Sequence, residues 1–250
     1  MKKPDTFFVG WSDDIPRIDR RFLLGAGAAL IAGGAGLGAS LGRLQNAPGD
    51  GDWDQGDVRE WTGLLLASPY PMLRTLDLGD APRTAFLATS GRTAVHLPAS
   101  LIGHTVTVTA SLIERGDHAM LAAADARDWI APSSQAPATP LAFGPEQDLG
   151  PEALVGEILD AKCWFGAMRP GYGKSHKACA TLCARGGLPL AFCADACGEG
   201  EAPLFLDERG RAHTRAILPY VADPVFVRGR RVQVGDIVQF RAPIASITRL

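Results

Sequence analysis

Aromatic residues are scarce in this chain, at 7% of its length. That scarcity removes the basic, ring-studded face on which single strands of nucleic acid stack. An excess of charge of one sign is missing too. The 25 Lys and Arg residues are set against 27 Asp and Glu, for a net charge of −2 with no long basic run. Neither nucleic acid nor acidic lipid is drawn by charge alone, so no nucleic-acid partner is expected. Catalytic signatures are absent as well. No Ser/His/Asp arrangement, no paired catalytic carboxylates and no phosphate-loop pattern stand out, which makes a non-catalytic subunit the first expectation and an enzyme the second. The composition does not read as disorder, because 46% of the 250 residues are hydrophobic, enough for one large domain or two small ones.

Turn-forming residues are plentiful. Gly 29 and Pro 18 punctuate many short apolar runs, which favours small strands joined by tight turns. The one long apolar run is residues 22–42, FLLGAGAALIAGGAGLGASLG, which carries no charge and is long enough to cross a hydrocarbon core of about 30 Å. Lys2, Lys3, Arg17, Arg20 and Arg21 precede it and an acidic stretch comes after it. The positive-inside rule then puts residues 1–21 in the cytoplasm and the bulk of the chain in the periplasm, anchored by one pass in the inner (cytoplasmic) membrane. The stretch DRRFLLG at 19–25 resembles a twin-arginine export signal, with Asp19 where Ser or Thr is usual. No A-x-A cleavage site lies just beyond, so the segment reads as a retained anchor. Its G-x-x-x-G spacings, Gly34 to Gly38 and Gly38 to Gly42, would let other transmembrane subunits approach closely.

Beyond the anchor, residues 43–57 read as a polar tether and the Pro/Ala/Ser-rich residues 131–150 as a linker. They delimit domains at 58–130 and 151–250, and the two share spacing. TGLLLASPY (62–70) aligns with VGEILDAKC (155–163), and VTVTASLIERGD (106–117) aligns ungapped with VFVRGRRVQVGD (225–236). Two matches in the same order argue for a duplicated unit. Long first strands, V-x-V alternation and Gly-Asp turns predict a mainly β fold: a transmembrane helix followed by two tandem OB-like small β-barrels.

The chemistry concentrates in residues 160–187, DAKCWFGAMRPGYGKSHKACATLCARGG. Ser175 as N-cap and Gly186-Gly187 as the stop predict a short helix from about residue 176 to 185. Its positions i, i+3 and i+7 put His176, Cys179 and Cys183 on one face. Cys163, at the end of the preceding strand, makes a fourth group. Three thiolates and an imidazole suit zinc, and also an iron–sulfur cluster or copper as Cu(I). Asp160 and Lys162 fall behind these ligands, Asp160 as an acceptor for the imidazole N–H or as the cap of a turn. Cys193 and Cys197 are set aside as a local disulfide, which leaves the odd count explained. Two other partitions stay open: Cys163 paired with Cys179 or Cys183, or Cys179, Cys183, Cys193 and Cys197 pooled as ligands.

Gly156, Glu157, Asp160, Lys162, Cys163, Gly166, Pro170, Gly171, His176, Cys179, Cys183, Gly186, Gly187 and Pro189 spell G-E-x-x-D-x-K-C, then P-G, H-x-x-C-A-x-x-C and G-G-x-P. This resembles the motif of an uncharacterised family of bacterial membrane-anchored or exported proteins. The resemblance implies a location and says nothing of mechanism. Together these readings predict a membrane-anchored periplasmic metal-binding (Cys3His) accessory subunit of a membrane oxidoreductase or electron-transfer complex. The alternatives are a thiol–disulfide or copper-handling protein and a scaffold whose cysteines are all structural.

Overall fold

The computed structural model describes residues 17–44, 51–135, 140–194 and 201–250. Two compact units divide the chain, Met1–Ala47 and Pro48–Leu250. In the first, helix α1 (Arg17–Leu44) contains a 25-residue stretch, Arg17–Leu41, long and apolar enough to cross a membrane, a property it shares with signal sequences. It starts before the apolar run expected at 22–42 and takes in Arg17, Arg20 and Arg21. Lys2 and Lys3 lie outside the described residues.

Among the described residues, the second unit is built from twelve strands. β1 (Asp52–Leu66), β2 (Met72–Thr75), β3 (Arg83–Thr89), β4 (Thr105–Arg115) and β5 (His118–Ala123) form the first barrel. They run in the order β1-β2-β3-β5-β4, and β4 pairs back onto β1 to close it. The short β6 (Ile130–Pro132) is appended to β4. β7 (Gln147–Asp160), β8 (Leu190–Ala194), β9 (Leu204–Leu206), β10 (Pro224–Val234) and β11 (Ile237–Arg241) repeat the same circuit, with β12 (Ile247–Arg249) appended to β10. In both barrels one junction is parallel, β3 with β5 and β9 with β11. The protein is therefore mainly β, with two closed five-stranded OB-like barrels.

The sequence repeat is also a repeat of register. Gly63 faces Val106 across β1 and β4, and Gly156 faces Val225 across β7 and β10; these are the residues that the two alignments equate. Each barrel ends in the same Gly-Asp hairpin turn, Gly116 at φ 53° and Gly235 at φ 60°, where a two-residue turn needs a positive φ at its first position. The tether and linker are shorter than expected. β1 already begins at Asp52, and β6 and β7 occupy both ends of 131–150, because these residues find ladder partners in β4 and β10. Residues 45–50 and 136–139 of those segments lie outside the described residues.

Each barrel has its own core, around Trp61, Leu65, Leu87 and Leu121 in the first and around Phe192, Phe205 and Phe240 in the second. A third cluster joins them. Tyr70, Met72, Phe86 and Met120 of the first barrel pack with Cys163, Trp164, Phe165 and Leu204 of the second. Burying a side chain such as Trp164 or Phe165 contributes about 2–3 kcal/mol, so the barrels are held by a true core. A polar clamp lies beside it: Asp236, in the second barrel's hairpin turn, accepts from Arg74 Nη1 (2.5 Å), Thr84 Oγ1 (2.8 Å) and Thr84 N (2.6 Å) of the first.

Candidate metal centre

The centre is an insertion between the first and second strands of the second barrel, β7 and β8. β7 delivers Asp160, fully buried, and the chain then turns through a widened helical turn, Cys163–Ala167. Asp160 shapes this insertion with both carboxylate oxygens. Oδ1 accepts from Cys163 N at 2.9 Å, and Oδ2 lies 2.9 Å from His176 Nε2. The two roles anticipated as alternatives, turn cap and imidazole acceptor, are thus both filled. With Nε2–H given to the carboxylate, Nδ1 keeps the lone pair.

His176 does not open the helix as expected. It closes a 3-10 turn, Lys174–His176, in which His176 N donates to Gly173 O at 2.9 Å. Helix α2 then runs Lys177–Arg185, without a side-chain cap from Ser175. The imidazole meets Asp160 at the end of β7. The consequence is two overlapping triads in place of one set of four. Donor atoms of Cys163, Cys179 and Cys183 all lie within 4.8 Å of one another, and so do those of Asp160, Cys163 and His176. Cys163 belongs to both.

The thiols of Cys163, Cys179 and Cys183 are free. Cys163 and Cys183 are buried, whereas Cys179 is half-buried and is the exposed corner. Cys163 Sγ stands 3.9 Å from Cys179 Sγ, far beyond the roughly 2.05 Å of a disulfide. Its hydrogen bond with Cys183, followed by burial and the Asp160 carboxylate, push the Cys163 thiol up. Cys193 is disulfide-bonded, and Cys197, its expected partner, lies outside the described residues.

The first barrel reaches into this site. Lys162 Nζ spends its three N–H donors on Thr89 O (2.7 Å), Ser90 O (2.9 Å) and Gly91 O (2.7 Å), so it straps down a first-barrel loop. Burial lowers its pKa, and Cys183, Cys163 and Asp160 oppose that shift. From the same loop Arg92 Nε approaches Cys179 Sγ at 3.4 Å. The α2 terminus closes the contact. Gly186 O accepts from Ala94 N at 2.9 Å, and a Cβ on Gly186 would sit 2.0 Å from Arg92 O, so only glycine allows the loop this close. Sequence reasoning missed Arg92, because its partner is 87 residues away in the other barrel. It also left Glu157 without a role. That carboxylate accepts from Gly173 N at 2.8 Å and positions the start of the 3-10 turn, while burial raises its pKa.

Next to the Cys163 turn, a cleft of about 410 Å³ opens between the barrels, lined among others by Arg115, His118, Trp164 and Phe165. The His118 ring stacks on Phe165 at 5.2 Å, and burial lowers its pKa. In the first barrel, Tyr70 stands where Cys163 stands in the second and is buried against Phe86 at 6.5 Å. No protein-family model, curated protein or solved structure matches this chain.

Proposed function

We propose that the protein binds a single metal ion through the thiolates of Cys163, Cys179 and Cys183, with His176 as the fourth donor and Asp160 holding the imidazole. The supporting observation is the convergence of three sulfurs, with 3.9 Å between those of Cys163 and Cys179. Tetrahedral zinc with Zn–S near 2.3 Å requires its sulfurs about 3.8 Å apart. The gap fits one tetrahedral ion, which favours zinc or another thiophilic single ion over an iron–sulfur cluster.

Metal analysis of full-length protein purified in detergent tests this, with one zinc per chain expected. Replacing zinc by cobalt should give thiolate-to-metal charge-transfer bands, weakened by Cys163→Ser and Cys183→Ser. In His176→Ala the sulfur bands should persist while the d–d bands shift. Protein that takes up neither ion would overturn the reading.

The wider role we assign is that of a membrane-anchored subunit exposed to the periplasm, serving a membrane oxidoreductase or electron-transfer assembly. It draws on the exposed apolar α1 helix and on the basic residues before it. Copurification of further membrane subunits with the intact chain is its test. A thiol–disulfide function, expected of Cys179 and Cys183 with His176, has two observations of its own: the sulfurs of Cys163, Cys179 and Cys183 are neighbours, and Arg92 faces Cys179. A redox titration finding no exchangeable disulfide eliminates it.

A further inference from the structure

The thiol triad belongs to the second barrel, but a cation beside it comes from the first. Arg92 Nε lies 3.4 Å from Cys179 Sγ, and its guanidinium feels Cys179 first, then Cys183 and Cys163. Two independent contacts hold its loop in place, the three carbonyl bonds from Lys162 Nζ and the Ala94 N to Gly186 O bond. Arg92 makes neither of them with its side chain. The guanidinium is therefore a charge delivered to the sulfurs by a loop that stays folded without it.

We propose that the centre is a two-barrel site for a divalent cation, in which Arg92 balances the charge of the trithiolate. The inference rests on the metal reading above and adds the charge class of the ion and the residue that completes the site. Metal ligation requires all three thiols to be deprotonated. Three thiolates and the Asp160 carboxylate then carry four negative charges. Lys162, an ammonium by its three donated hydrogen bonds, and Arg92 return two positive ones. A divalent ion brings this group to neutrality and a monovalent ion leaves it negative, which is costly in a setting where Cys163, Cys183, Asp160 and His176 are buried. Glu157 lies outside this group, hydrogen-bonded by Gly173 N and coupled to His176 and Asp223, not to the sulfurs. The N–H···S contact is also the kind of outer hydrogen bond that tunes a metal–thiolate site.

The experiment compares wild type, Arg92→Gln and Arg92→Lys as full-length proteins in detergent. Each is stripped of metal and titrated with Zn²⁺ against a chromophoric chelator, and thermal unfolding of the metal-free forms is recorded alongside. The metal carried by wild type as purified is expected to be divalent. Arg92→Gln should bind Zn²⁺ about tenfold more weakly, the low end of the outer-shell range as befits an exposed group. Arg92→Lys should recover most of that loss, and the metal-free melting temperatures should coincide. Zinc binding by wild type with equal affinity in Arg92→Gln overturns this inference and leaves the metal reading intact, as does wild type carrying only Cu(I). Wild type that binds neither ion overturns both.

Discussion

Asp160 carries more of the candidate site than any of the thiols, because one fully buried carboxylate both starts the Cys163 turn and holds the His176 ring. Asp160→Asn keeps an oxygen for Cys163 N but gives up the charge that orients the imidazole. Its zinc affinity should fall about 10- to 100-fold in the chelator competition, with a smaller change in stability. Asp160→Ala strands both partners and should cost about 3 kcal/mol in urea unfolding. His213 makes a separate pH prediction. Its ring packs on Phe205 at 4.6 Å, its Nε2 is buried without a hydrogen-bond partner, and burial lowers its pKa from 6.5 to about 4. Between those values the unfolded chain binds the proton and the folded one refuses it, so stability is full above pH 6.5 and drains away as pH falls toward 4. The gap is worth up to about 3 kcal/mol. Urea midpoints of wild type and His213→Gln, measured from pH 7 to 4, should show a shallower decline in the variant.

At the scale of the element, the duplication can be tested through paired glycines. A Cβ on Gly63 would lie 2.4 Å from Arg74 O, and one on Gly156 would lie 2.1 Å from Cys193 O. Both positions bring the first strand of a barrel hard against the second, so Gly63→Ala and Gly156→Ala should each cost about 3 kcal/mol or more by chemical denaturation, since neither strand can yield without breaking its ladder. Equal sensitivity at the two sites is the outcome expected of a repeated architecture. These strands were legible in the sequence because alternation and Gly-Asp turns are local signals. Helix α2 was legible for the same reason, within a residue at its start. The direction of His176 was not, since a 3-10 turn and an α-helical turn accept the same residues here and the choice lies with Gly173 and the Asp160 carboxylate.

At the scale of the whole molecule, the two barrels are more dependent on each other than a tandem repeat with a linker suggests. A Pro/Ala/Ser-rich stretch between two similar halves reads as a linker, yet the shared core of Phe86, Met120, Trp164 and Phe165 and the Lys162 strap bind the halves face to face. Such contacts leave no periodic trace, because each partner looks like an ordinary apolar or charged residue within its own half. The equivalent turn aspartates expose this asymmetry. Both are exposed in their hairpins, yet Asp236 closes on Arg74 and Thr84 of the other barrel, and Arg74 is itself buried. Asp236→Ala leaves that guanidinium inside the interface without its carboxylate and should cost about 3–5 kcal/mol. Asp117→Ala, the same substitution at the same place in the repeat, should stay within about 0.5 kcal/mol of wild type. Urea unfolding of the two variants in the full chain separates the cases. Equal costs would mean that the clamp contributes nothing to joining the barrels, and the larger loss at Asp236 would mean that the position of a residue in the assembled pair, rather than in its repeat, sets its contribution.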